Sequence, residues 1–125
     1  MSKTLQSGLT IPAAANIGTA AEYSNGTCTT TVTIPASPNR QNVTLTNGDA
    51  CAITFTQPSS GTTSITLKLI QGSAGTGTLG TVATTLWAQS DGSFTDTPPT
   101  ITTTNNAVSL LGCYLDGTDA YCGLI

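Results

Sequence analysis

Histidine is missing from this chain, and with it go the usual general base and the usual nitrogen ligand for zinc. A Ser-His-Asp or Cys-His arrangement is therefore impossible. Glutamate occurs once, as Glu22. Charged residues make up 7% of the chain, against about a quarter in ordinary domains. The basic residues are Lys3, Arg40 and Lys68, too few and too scattered to neutralise a phosphate backbone, so no nucleic acid is expected as a partner. No apolar run approaches the roughly 20 residues of a membrane helix, so no membrane partner is expected. The N-terminus carries one Lys but no continuous apolar stretch behind it. It does not read as a signal peptide, and synthesis in a cytoplasm is the expectation. Cysteine pairs two to four residues apart, as in zinc fingers, are also missing, so no structural metal is implied. The expectation is a protein without enzymatic activity or cofactor.

What fills the chain instead is threonine, with serine, asparagine and glycine. A β-branched side chain packs well on a pleated strand, and its hydroxyl can face water. With 125 residues there is room for one domain with a real core. Net charge is −3.

The apolar residues recur with the period of two that marks half-buried strands. Thr31–Ile34 ends at Pro35 and Pro38, which cannot donate to a central ladder. Asn42–Thr46 ends at Asn47-Gly48-Asp49, a hairpin signal, and Cys51–Thr56 ends at Pro58 and Gly61. Ser64–Ile70 puts Ile65, Leu67 and Leu69 on one face. Gly72–Gly80 reads as a flexible loop, Thr81–Trp87 as a strand, and Gln89–Pro99 as a turn-rich loop. Thr100–Thr104 leads into a closing hairpin. About eight short strands at such spacings are the signature of an all-β sandwich or barrel, and the expectation is an antiparallel β-sandwich. The recurring Val-Thr-Leu-Thr, Ile-Thr-Phe-Thr and Ile-Thr-Leu-Lys stretches are unevenly spaced and read as strands of that sandwich, not as repeats. The sandwich is expected over residues 28–125, behind an extended N-terminal arm over residues 1–27. That arm reads either as a loosely ordered terminus or as a contact arm lying along a neighbouring subunit, anchored by Leu5, Leu9, Ile11 and Ile17.

The closing hairpin turns at Asp116-Gly117-Thr118-Asp119, between two β-prone runs. If Gly117 and Thr118 form the loop, Cys113 and Cys122 face each other. If Asp116 and Gly117 form it, Cys113 faces Ala120. Cys113 and Cys122 thus read either as two small buried hydrophobes or as a cross-strand disulfide. Four cysteines, Cys28, Cys51, Cys113 and Cys122, allow three pairings. Cytoplasmic synthesis favours thiols at first, with oxidation after release.

Other constellations have bland readings. Asp91 with Asp96, and Asp116 with Asp119, offer hard oxygen ligands, but neither pair has the spacing of a calcium loop. They read as turn residues. Gly72-Ser73-Ala74-Gly75-Thr76-Gly77 lacks the Lys and the helix of a phosphate loop. Trp87 is either a sugar-stacking platform or core, and its large area with one N–H favours core.

One ordered set of motifs resembles a known family. It runs Val43-Thr44-Leu45-Thr46, Ile53-Thr54-Phe55, Leu67-Lys68-Leu69-Ile70-Gln71, Leu86-Trp87, Pro98-Pro99-Thr100-Ile101-Thr102-Thr103 with Asn106-Ala107-Val108, then Tyr114-Leu115-Asp116-Gly117-Thr118 with Tyr121. This order resembles a β-module of tailed-bacteriophage virion proteins, found at tail-fibre ends and in small capsid-surface proteins. It covers roughly residues 42 to 125 and leaves the arm unmatched. A second Trp before Trp87 is missing, and Cys113 and Cys122 are additions. The resemblance implies a jelly-roll-like sandwich and no catalytic residues. A chain that starts at Met1 and ends at residue 125, without shaft or heptads, reads as a complete protein. Such a protein suits a capsid decoration, or cement, protein: a homotrimer on the major capsid protein at the virion surface, made in the bacterial host cytoplasm. The alternative is a tail-fibre or head-fibre receptor- or glycan-binding module that stacks sugars on Trp87, Tyr114 and Tyr121. A bacterial surface or pilus subunit is a third reading, disfavoured by the missing export signal.

Overall fold

The computed structural model of this chain describes residues 21–125, together with the backbone of Lys3–Thr4 and Thr10–Ile11. Those two dipeptides, β1 and β2, pair antiparallel with each other. Ten further strands follow: β3 (Tyr23–Cys28), β4 (Thr31–Ile34), β5 (Arg40–Leu45), β6 (Ala50–Phe55), β7 (Thr63–Ile70), β8 (Thr78–Leu79), β9 (Thr85–Ala88), β10 (Phe94–Thr95), β11 (Val108–Leu115) and β12 (Ala120–Leu124). Among the described residues there is no helix, so the protein is all-β.

Seven strands form a large sheet in the order β10-β9-β12-β11-β7-β5-β3, and three form a small one in the order β4-β6-β8. From β3 to β9, successive strands alternate between the two sheets. Up to β8 a strand lies beside the one two places earlier, running the same way: β3–β5, β5–β7, β4–β6 and β6–β8 are all parallel, whereas β9 joins the sheet away from β7. Parallel neighbours need a long crossover, and here each crossover contains a strand of the opposite sheet. The antiparallel expectation holds for β7–β11, β11–β12 and β9–β10, while β12–β9 is again parallel. The Val43-Thr44-Leu45 and Ile65-Thr66-Leu67 stretches lie on parallel neighbouring strands of the large sheet, offset so that Val43 pairs with Leu69 and Leu67 with Gln41, and Ile53-Thr54-Phe55 lies in the small sheet.

The expected arm is shorter than the sequence suggested, because β3 takes Tyr23–Cys28 into the sheet beside β5. Asn25-Gly26 is a bulge within that strand, not a turn. The register shifts between Ser24 and Thr27, and Gly26 takes the positive φ of 71° that a bulge asks of glycine. Asn25 stays useful there: its amide donates to Gln41 Oε1 and to the Asn42 carbonyl, both at 3.0 Å. Leu5, Leu9 and Ile17 lie outside the described residues. Ile11 is described as backbone only, opposite Lys3.

The buried faces of both sheets meet in one core. The large sheet supplies Val43, Leu45, Ile65, Leu67, Leu69, Trp87, Leu111 and Leu115, and the small sheet supplies Ile34, Ile53 and Leu79. Each such aliphatic chain contributes about 1.5–3 kcal/mol by leaving water. Cys28 and Cys51 are joined by a disulfide, which bonds β3 to β6 across the core. Thr85 on β9 donates its hydroxyl to the Ile53 carbonyl at 2.7 Å, a second link between the sheets. Thr46 Oγ1 and Trp87 Nε1 are buried without a hydrogen-bond partner among the described residues.

The stretch Gly72–Gly80, expected to be flexible, is packed. Gln71 is buried, and its amide donates to the Gly77 and Thr102 carbonyls at 2.7 and 2.9 Å. Its carbonyl accepts the Gly77 N–H at 3.0 Å. A Cβ at Gly77 would stand 2.6 Å from Leu45 Cβ, and one at Gly75 would stand 2.5 Å from the Thr104 backbone. The glycines here serve close approach, not mobility.

Candidate functional site

Strands β11 and β12 are apolar on both faces, which their near-continuous apolar sequences foreshadow. On β11, Leu111, Cys113 and Leu115 point into the core. Val108, Leu110 and Tyr114 alternate with them and are 52%, 42% and 46% exposed. The hairpin register sets Tyr114 opposite Tyr121, Gly112 opposite Gly123 and Cys113 opposite Cys122. That is the register with Gly117 and Thr118 as loop residues, and Gly117 takes φ of 97°. Cys113 and Cys122 are disulfide-bonded on the buried side, next to Trp87, which pairs with Cys122.

The outer face continues across the neighbouring strands. Leu86 pairs with Tyr121, so β9 adds Leu86 and Ala88 to it. Phe94 on β10 lies beside Ala88 and meets the Tyr121 ring edge-to-face, with centroids 5.5 Å apart. The Ile125 N–H donates to the Leu110 carbonyl at 2.9 Å. The Ile125 side chain then sits 3.5 Å from where a Cβ of Gly112 would stand. The Gly112–Gly123 pair thus forms a shallow floor between the two tyrosines and the Leu110–Ile125 pair. The exposed apolar residues Phe94, Val108, Leu110, Tyr114 and Ile125 gather on this half of the large sheet.

The other half of the same face is polar. Lys68 on β7 pairs with Leu110 on one side and Asn42 on the other. Glu22 Oε1 lies 2.8 Å from Lys68 Nζ and accepts from Asn42 Nδ2 at 2.6 Å. The hydrogen bond from Lys68, then that from Asn42, holds the Glu22 carboxyl below its usual range. The outer face of the small sheet differs again: it presents Thr31, Thr33 and Thr54, with a hydroxyl pair Thr33–Thr54 at 3.0 Å.

Acidic residues at the loop tips are occupied by their own turns. Asp116 Oδ1 accepts the N–H groups of Thr118 and Asp119, both at 2.8 Å, and these bonds lower its pKa. Asp91 Oδ1 accepts from the Ser93 hydroxyl and N–H at 2.6 and 3.0 Å, with the same effect. The nearby Asp116 charge, more than burial or Asp119, raises the Tyr121 phenol above 10.0.

Of the residues singled out from sequence, Tyr114 and Tyr121 come together on the outer face, and Cys113 and Cys122 bond beneath them. Trp87 is buried at 1% exposure and cannot act as a sugar platform. Phe94, Val108, Leu110 and Ile125 were missed. For Val108, Leu110 and Ile125 the signal was a near-continuous apolar run, which reads as buried on both sides, and Phe94, inside a polar turn-rich loop, gave none. No family model, no curated protein and no solved structure matches this chain.

Proposed function

We propose that this chain is a non-enzymatic structural protein of a bacteriophage virion, a decoration protein that binds the assembled capsid shell and stabilises it. The observation that carries the reading is the solvent-facing apolar half of the large sheet, centred on Leu110, Tyr114 and Tyr121. Exposed apolar patches of this kind on a small domain mark interaction surfaces. A protein that binds the assembled shell and not its separated parts stabilises the shell by mass action. The ordered motif set adds the phage context, and the two sheets sharing a core serve as the sandwich-like, jelly-roll-related scaffold that it implies. Assembly as a homotrimer on the major capsid protein belongs to the same reading. Two buried disulfides fit a protein made in the host cytoplasm and oxidised after release.

The test is co-sedimentation with purified shells lacking decoration protein. Leu110→Glu and Tyr114→Ser should abolish binding while the far-ultraviolet spectrum stays unchanged, and Thr33→Glu on the small sheet should leave it intact. Binding indifferent to the first two variants removes this face from the proposal.

A second reading has its own observation. Phe94, Tyr121 and Tyr114 form an aromatic row on a strand face, flanked by Asp116. Aromatic rings beside carboxylates suit stacking and hydrogen bonding to sugars. Glycan binding lost in Tyr114→Ala, without shell binding by the parent protein, selects that function instead.

A further inference from the structure

We infer that Asn47–Gly48 is a self-modification site, where the folded protein slowly converts asparagine to aspartate and isoaspartate, while its other Asn-Gly pair, Asn25–Gly26, is kept intact by hydrogen bonds. The chemistry needs only water. The Gly48 nitrogen gives its proton to solvent base and attacks Asn47 Cγ, gaining the advantage of a reaction within one chain. A bond forms between these two atoms, and Nδ2 takes up a proton and leaves as ammonia. The product is a five-membered succinimide ring, which water then opens. Addition at the side-chain carbonyl gives aspartate. Addition at the main-chain carbonyl gives isoaspartate, whose main chain runs through the former side chain. Glycine suits the second position because no side chain crowds its nitrogen.

Both pairs have the sequence for this reaction, and the fold separates them. At Asn47 the residue is exposed, in a turn closed by the Asp49 N–H on the Thr46 carbonyl at 3.3 Å. The attacking Gly48 N–H donates to no group among the described residues. Asn47 Oδ1, where negative charge collects as the ring closes, accepts the Ala74 N–H at 3.1 Å. Glycine at position 72 permits that approach, since a Cβ there would stand 2.6 Å from Oδ1. The leaving Nδ2 has only the Ser73 hydroxyl, at 3.5 Å.

At Asn25 each of these is reversed. The Gly26 N–H donates to Ser24 Oγ at 3.2 Å. Asn25 Nδ2 donates to Gln41 Oε1 and to the Asn42 carbonyl, both at 3.0 Å. No donor reaches its Oδ1 among the described residues. The pair also sits inside β3, held against β5. Each hydrogen bond that must break before ring closure slows the reaction by up to about tenfold.

The place of the turn gives the reaction a structural consequence. Thr46–Asp49 joins β5 of the large sheet to β6 of the small one, and the Asp49 carbonyl accepts the Thr78 N–H of β8 at 3.0 Å. Aspartate adds a negative charge but leaves the chain path and the acceptor for Ala74 in place. Isoaspartate lengthens the main chain by one atom and shifts both acceptors. The element it releases is β8, two residues long at the edge of the small sheet. The inference stands or falls apart from the virion reading.

The full-length protein tests it. Folded protein is held at about pH 8.5 and about 37 °C, where base removes the amide proton more readily. A parallel sample is reduced and unfolded in guanidinium at the same pH. Peptides holding positions 25 and 47 are then compared for a gain of about 1 Da and for methyl transfer by isoaspartyl methyltransferase. In the folded protein, conversion at 47 should exceed that at 25 by at least about tenfold, and the ratio should fall toward one in the unfolded chain. Ser24→Ala should raise conversion at 25. Thr78 N–H exchange should be faster in the isoaspartate fraction than in Asn47→Asp. Equal conversion of the two pairs in the folded protein overturns the proposal. So does a preference for 47 that persists unchanged on unfolding, because it then belongs to the neighbouring sequence and not to the fold.

Discussion

Cys28 on β3 is bonded to Cys51 on β6, and this is the covalent tie between the two sheets. Cys113 and Cys122, in contrast, are neighbours within one hairpin. The two disulfides close loops of different length, with sequence separations of 23 and 9. Loop-closure entropy then assigns about 3.4 kcal/mol to the first and about 2.7 kcal/mol to the second. Cys28→Ala/Cys51→Ala should therefore lower the urea midpoint more than Cys113→Ala/Cys122→Ala. Oxidised protein, unfolded and alkylated without reduction, should take up no label at all.

Gln71 is the polar residue whose loss should be felt most. Gln71→Leu keeps much of the volume but leaves the Gly77 N–H and two carbonyls without their partner. The expected cost is about 2–4 kcal/mol in equilibrium unfolding. Gly77→Ala should be comparably harmful, since its new methyl meets Leu45. Gly92→Ala, with open space around it and φ of 88°, should cost only about 1 kcal/mol.

Tyr121 reports on the hairpin charge. Negative charge beside a phenol disfavours phenolate, so the Asp116 carboxylate raises the Tyr121 pKa. Asp116→Asn keeps an oxygen for the Thr118 and Asp119 N–H groups and removes the charge. Ultraviolet titration of tyrosinate should then show one transition moving down toward 10.0. A transition that stays in place contradicts the assignment.

Acid should loosen the Glu22–Lys68 contact. The folded-state pKa of Glu22 lies below 4.5, so its stabilisation is present above that value and is lost as pH falls through the lowered one. Both side chains are about a third exposed, so the contribution should stay below about 1 kcal/mol. Lys68→Met should flatten that part of the stability profile measured by urea unfolding from pH 6 down to pH 3, and added salt should flatten it likewise.

How much was legible beforehand differs from strand to strand. Ile65, Leu67 and Leu69 declared the buried face of β7 through their period, and Asp116–Asp119 declared the last hairpin through its turn chemistry. Local signals of this kind work because the partner is near in sequence. The parallel pairs have no such signal. Val43 finds Leu69 across a whole intervening strand of the other sheet, and nothing local records which sheet a strand joins. Asn25-Gly26 misled for a related reason: a positive φ serves a bulge as well as a turn. Gly75 and Gly77 misled because glycine marks both freedom and tight contact. At the candidate site, sequence supplied the tyrosines and the cysteine pair. It did not supply their company, since Phe94 reaches Tyr121 through a two-residue strand inside a loop.

The order β9-β12-β11-β7 also constrains how the molecule is made. When β9 leaves the ribosome, the place between it and β7 is still vacant. The two strands that fill it, β11 and β12, emerge only after β10, and each must slot in with neighbours on both sides. Assembly of the large sheet therefore waits until β12 has been made, and fragments that stop after β10 hold two unjoined halves prone to capture by other chains.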